Sequence, residues 1–151
     1  MHMEIGIIVA AKSKQDARNR AEDVELSRMF DYVQDYGQSV PLHSKNGKAR
    51  MQKYMQYNRE NFLYNLATVK EALSKCTDDQ LLQLETYPEC DFGTDTFRWA
   101  CHNLGQRGGT NCWLYDEDGA ELPYPDKIKE LTQRKPGKGL SFYIVPVNVH
   151  Y

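Results

Sequence analysis

"EIGIIVAAKSKQDARNRAEDV", residues 4–24, is the stretch on which the reading of the fold rests. Its first eight residues, Glu4–Ala11, are mostly β-branched and apolar, the composition of a buried strand. Ser13 follows as a helix N-cap, and "KQDARNRAEDVELSRMFDYV" continues as helix. Ala17, Ala21, Val24 and Met29 share its inner face, with Arg and Glu spread over the outer one. A strand feeding directly into an amphipathic helix is the opening half of a β-α-β unit.

Residues 111–151 supply a counterpart. "NCWLYD" (111–116) reads as a strand and "EDG" (117–119) as a turn. "YPDKIKELTQR" opens a helix with Pro125 and Asp126 near its start, "KPGKG" is a connector, and "LSFYIVPVNVHY" is a strong strand. Pro146 interrupts that strand and predicts an edge position or a bulge.

Between these ends the pattern is helical. "QDYGQSVPLHSKNGKAR" (34–50) holds Gly37, Pro41 and Asn46-Gly47 and reads as a long loop with room for a short hairpin. In 58–75, Phe62, Leu66, Val69 and Leu73 recur at helical spacing and form an apolar stripe. Thr77 with Gln80 is a capping-box signature for a short helix. Asp95 caps another, in which Phe97, Ala100, Cys101 and Leu104 share a face and Gly105 stands at the stop.

The expected fold is therefore α+β and a single domain over 1–151: a small ferredoxin-like sheet from β-α and β-α-β units with an inserted helical middle region. Helices cover one side of the sheet, and the open face is the expected place for binding.

The totals narrow the function classes. The chain has 151 residues, 40% hydrophobic and 26% charged, with a formal charge of −2, so any pull on nucleic acid must come from a local patch. No apolar run reaches the ~18–20 residues that span a bilayer, and no membrane partner is expected. The apolar start follows acidic Glu4 without a basic segment and is a strand, not a signal peptide. Cys76, Cys90, Cys101 and Cys112 contain no C-x-x-C pair; their even count would permit two disulfides, but for a chain of this size without a signal sequence the expected setting is reducing cytoplasm.

The stretch "WACHNLGQRGGTNCW" (99–113) gathers three glycines, an arginine, a threonine, two cysteines and a histidine between two tryptophans. Phosphate loops run strand, glycines, helix, so that amide N–H groups at the helix start meet the anion. Here the order is helix, glycines, strand, and the glycines read as a helix stop and connector, with an anion nest around Arg107 and Gly108-Gly109 as the competing reading. Cys101 and His102 are adjacent and point about 100° apart on a helix, which does not suit one zinc ion. No metal or cofactor is expected. Nothing in the spacing of Cys101, Cys112, His43, His102 and His150 selects a thiol and its base.

Residues "FRWACHNLGQRGGTNCWLYD" (97–116) resemble a stretch of uncharacterised phage- and plasmid-borne proteins with a ferredoxin-like domain. There a W-x-x-x-N-W-G-T-K-W-N-x-Y-D pattern joins a helix to a strand. Trp99, Asn103, Gly105, Gly109, Thr110, Tyr115 and Asp116 match it, while Leu104 replaces a tryptophan, Trp113 is shifted by one and "QRGG" is an insertion. The resemblance covers about twenty residues and implies a fold and a mobile-element origin; that family has no settled activity to carry over.

The local charge concentration is "HSKNGKARMQKYMQYNRENF" (43–62). Lys45, Lys48, Arg50, Lys53 and Arg59 interleave with Tyr54, Tyr57 and Phe62, the ingredients of single-strand binding as well as of a solvated helix entry. The acidic groups at 31–37, 78–79, 89–91 and 116–118 stand at helix ends and turns, where they cap. The reading is a non-enzymatic binding or accessory protein with Lys45, Lys48, Arg50, Lys53, Tyr54, Tyr57 and Arg107 as contact residues for a protein, nucleotide or nucleic-acid partner. The alternative is a small hydrolase or nuclease using Cys/His or clustered carboxylates.

Overall fold

Residues His2–Ala11 form strand β1 and Ser141–His150 form β5, and the two pair antiparallel along their whole length, from His2 opposite His150 to Ala11 opposite Ser141. The computed structural model describes residues 2–27, 29–82, 94–105 and 112–150. Between β1 and β5 the chain makes α1 (Lys14–Glu22), β2 (Tyr32–Tyr36), β3 (Val40–Pro41), α2 (Lys45–Lys75), α3 (Asp78–Leu82), α4 (Thr94–Gly105), β4 (Leu114–Asp116) and α5 (Pro125–Gln133). The fold is α+β, with a five-stranded sheet in the order β2-β5-β1-β4 and β3 also paired to β5. The chain divides into two compact units, one within Met1–Asn58 and Cys112–Tyr151, the other within Arg59–Asn111.

The sheet lies in the first unit. β4 runs parallel to β1, β5 antiparallel to it, and β2 antiparallel to β5, so β1 and β2 are parallel with β5 between them. Thus β1, α1 and β2 make a split β-α-β unit. β4 and β5, joined through α5, lie on opposite sides of β1 and run in opposite directions.

Alternation along β1 sends side chains to two buried clusters. Ile5, Ile7, Val9 and Ala11 pack with Ala17, Ala21, Val24, Leu26 and Phe30, and with Val145, Val147 and Val149 of β5. Ile8 and Ala10 pack on the other side with Leu42, Tyr54, Leu114, Leu122, Ile128 and Ile144. Both faces are therefore covered, which corrects the expectation of an open sheet face: α1 lies on one and the first part of α2 with α5 on the other.

Further expectations change. The first helix ends at Glu22, not near Val33; Val24 N–H turns back onto the Ala21 carbonyl at 3.3 Å, and Tyr32–Tyr36 becomes a strand on β5. Its start is as read, with the Ser13 hydroxyl accepting from Asp16 N–H at 3.1 Å. The loop over 34–50 holds β2, β3 and the opening of α2. Ser44 caps that helix, accepting from Gly47 N–H at 3.0 Å, and the helix needs glycine at position 47 because a Cβ there would meet the Pro41 carbonyl oxygen at 2.1 Å.

Pro146 stands in a central strand and not at an edge. Gly37 N–H donates to its carbonyl at 2.7 Å, and because the N and C=O of one strand residue point to the same side, the missing N–H faces the break between β2 and β3. Pairing there continues with Tyr36 opposite Val147 on one side of the break and Val40 opposite Ile144 on the other.

In the second unit, the Phe62–Leu73 stripe is not the buried face. Phe62 and Leu73 are exposed, Leu66 and Val69 half-buried, and the buried positions are Asn65, Thr68 and Ala72. Asn103 of α4 donates to Asn65 Oδ1 at 3.2 Å, and Asn65 donates to the Asn61 carbonyl at 2.8 Å. The capping box at α3 is formed in both directions: Thr77 N–H to Gln80 Oε1 at 2.8 Å and Gln80 N–H to Thr77 Oγ1 at 3.2 Å. On α4, which already starts at Thr94, Ala100 is buried but Cys101 is exposed, so the face expected to unite Phe97, Ala100, Cys101 and Leu104 does not bury the cysteine. Among the described residues no helix is long and apolar enough to cross a membrane.

Candidate functional site

The basic–aromatic segment is one helix with two unlike flanks. Helical spacing places Arg50, Lys53, Tyr54 and Tyr57 on one side of α2 and Lys45, Lys48, Gln52 and Arg59 on the other.

On the first flank Tyr54 is fully buried, not exposed for stacking. Its ring lies against Gly6, where a Cβ would come within 2.6 Å of Tyr54 Cε2, and its hydroxyl donates to Glu4 Oε1 at 2.8 Å. Burial, then the Glu4 carboxylate, pushes the phenol well above its ordinary range, with Arg50 opposing. Lys53 Nζ reaches the same Glu4 oxygen at 3.4 Å and stands 5.6 Å from the centre of the Tyr57 ring, whose other neighbour is Trp113 at 5.8 Å. These groups knit α2 to β1 and to the approach to β4. They offer no row of free aromatic faces.

On the second flank a groove of about 440 Å³ runs between α2 and α5. Its position follows from two local devices. Gly47 and the Ser44 cap press the Pro41-Leu42 backbone onto the first turn of α2, with the Ser44 hydroxyl donating to the Pro41 carbonyl at 2.7 Å, which sets Leu42 and His43 beside the helix. Pro125 at the start of α5 fixes that helix's entry, and Ile128 anchors its inner face.

Leu42, Met51, Met55, Pro125 and Ile128 give the groove an apolar floor. Lys48, Lys129, His43, Gln52 and Thr132 complete the lining, which includes no carboxylate. Among the described residues neither Lys48 nor Lys129 has an ion-pair partner, and Thr132 Oγ1 donates to the Ile128 carbonyl at 2.9 Å. The groove has the size and the mostly apolar lining of small-molecule sites.

Of the seven expected contact residues, Lys48 lines this groove, Lys45 is exposed one turn earlier, and Arg50, Lys53, Tyr54 and Tyr57 form the opposite flank. Arg107 and the glycines at 108–109 lie outside the described residues, as does Cys90. Met51, Met55 and Lys129 were not singled out by the sequence; the signal was Lys48, Met51, Gln52 and Met55 at helical spacing, hidden by ending the loop at residue 50.

The thiol and imidazole candidates stand as follows. Cys112 is fully buried, its thiol donating to the Leu114 carbonyl at 3.1 Å, and burial pushes its pKa up to about 12, which holds it as an inert thiol. His102 stacks on Trp99 at 5.4 Å, and His150 Nδ1 lies 3.3 Å from Asp31 Oδ2. His43 is exposed at the groove. Among the described residues no three His, Cys, Asp or Glu side chains are placed to hold a metal ion.

No curated protein and no solved structure matches the chain significantly. A family model does match, over residues 30–151, which takes in the groove, both of its helices and every strand except β1. On that match the chain belongs to the family described as a domain of unknown function, DUF7995.

Proposed function

We propose that this protein is a non-enzymatic binding protein whose working site is the groove between α2 and α5. The observation that carries the reading is the combination of an apolar floor with two lysines that have no acidic partner among the described residues. Buried apolar surface supplies affinity and a few polar groups at the rim supply orientation, which is the general design of ligand sites. Cys101 and Cys112, neither of them in a disulfide among the described residues, support a reducing, cytoplasmic setting. A phage or mobile-element origin rests on the resemblance of residues 97–116, and the split β-α-β of β1, α1 and β2 is what supports ferredoxin-like character.

The test is a small-molecule screen read by the methyl signals of Met51 and Met55. Compounds that bind the groove shift these two methyls, and Met55→Trp, which fills the space, abolishes the shift of the remaining Met51 methyl while leaving the circular dichroism spectrum unchanged. Hits that bind the filled variant equally well, or a screen in which neither methyl moves, would remove the groove as the working site.

A further inference from the structure

We infer that the ligand of this groove is an anionic amphiphile: an alkyl chain ending in a carboxylate, with the chain on the methionines and the carboxylate at the lysines. The inference rests on the groove reading above and adds the chemical class of the occupant. Three features of the site argue for it.

The first is charge. Lys48 and Lys129 come from different helices and face one groove, no acid lines it, and neither lysine is paired among the described residues. The chain as a whole carries −2, so a local concentration of uncompensated positive charge at an apolar mouth is not a by-product of composition. Two ammonium groups at the edge of a low-dielectric groove favour a carboxylate over a neutral head and oppose a cationic one.

The second is the floor. Met51 and Met55 are unbranched and polarisable, and such side chains adapt to a flexible alkyl chain better than a rigid β-branched wall. The third is the arrangement of polar groups. A lysine stem lies along apolar surface with its charge at the water boundary, which matches an occupant with one polar end and an apolar body. The Gln52 amide, one residue past Met51, adds a neutral donor for the same head, whereas the Thr132 hydroxyl proton is already directed to the Ile128 carbonyl.

Three probes of equal chain length separate the possibilities: dodecanoate, dodecanol and dodecyltrimethylammonium, each below its micelle-forming concentration. They are titrated against the full chain with the Met51 and Met55 methyls and calorimetry as readouts. Dodecanoate is expected to bind at least about tenfold more tightly than either other probe. Added salt is expected to erode that advantage, and K48E/K129E to transfer the preference to the cation. The salt titration of the unaltered protein tests the same point should the double variant fail to fold.

Dodecanol binding as well as dodecanoate would overturn the anionic assignment and leave the groove reading standing. No response of either methyl to any of the three probes or to an acidic amphipathic peptide would overturn both. An acidic amphipathic peptide that moves the methyls where dodecanoate does not would assign the groove to a protein partner, and the small-amphiphile inference would fall.

Discussion

On one face of the sheet Ile5, Ile7 and Val9 meet the alanines of α1; on the other, Ile8 and Ala10 meet Tyr54 and, beyond it, the methionines of α2. The first contact is made through short side chains, Ala17 and Ala21, which bring a helix close to the strands and are fully buried there. The second is made through long ones, which cover the sheet but reach it from further off and leave the groove between α2 and α5. The same strands thus support a closed face and a receptive one, and the difference lies in side-chain length on the covering helices.

The largest effect that tests this contrast comes from removing bulk on each face. Ile7→Ala is expected to lower stability by about 3–5 kcal/mol in urea unfolding, because a fully buried site under a closely packed helix collapses poorly. Met55→Ala, on the half-buried wall of the groove, is expected to lower it by only about 1 kcal/mol. Equal losses would erase the distinction between the faces.

A smaller effect addresses how the second covering is seated. Gly6→Ala places a Cβ 2.6 Å from Tyr54 Cε2 and 3.0 Å from Leu114 Cδ1, and is expected to lower stability by about 1–3 kcal/mol. In a Tyr54→Leu background the same substitution is expected to lose much of its penalty, since the two residues share one contact. Strict additivity of the pair would show that Tyr54 does not set the spacing.

The smallest effect concerns Glu121, which bridges to Tyr115 beside β4 and whose carboxyl is raised above its ordinary range by burial. A raised carboxyl binds its proton more tightly folded than unfolded, so stability falls as pH rises from the ordinary carboxylate value through the folded one. Glu121→Gln is therefore expected to gain under about 1 kcal/mol at neutral pH, screened by the group's partial exposure, and nothing in acid. Unfolding curves at the two pH values check it; a loss at neutral pH would mean that the charge is held by a favourable partner.

Much of the sheet was legible because its strands are unambiguous. Isoleucine and valine mark Glu4–Ala11, the Ser13 cap separates strand from helix, and Pro125 opens α5 where expected. What misled was a strand divided between two other readings. Tyr32 and Val33 were counted to the first helix and 34–36 to the loop, yet Tyr32–Tyr36 pairs with β5, and the register shift between Val33 and Asp35 breaks the alternation that would have marked a strand. Gly47 hid the start of α2 because its reason is the nearby Pro41-Leu42 backbone, a contact no local pattern encodes. The groove was half visible in Lys48 and invisible in Lys129, since bringing the two helices to one space depends on how they cross the sheet.

The full-length ladder between β1 and β5 also sets an order of events during synthesis. The Ile-rich segment at 2–11 leaves the ribosome early, and its antiparallel mate at 141–150 emerges only after all the intervening elements. For that whole interval the stickiest strand of the molecule waits beside helices that can form on their own, and its closing step spans nearly the entire chain. Until that mate arrives, the early strand needs some other cover for its apolar side chains.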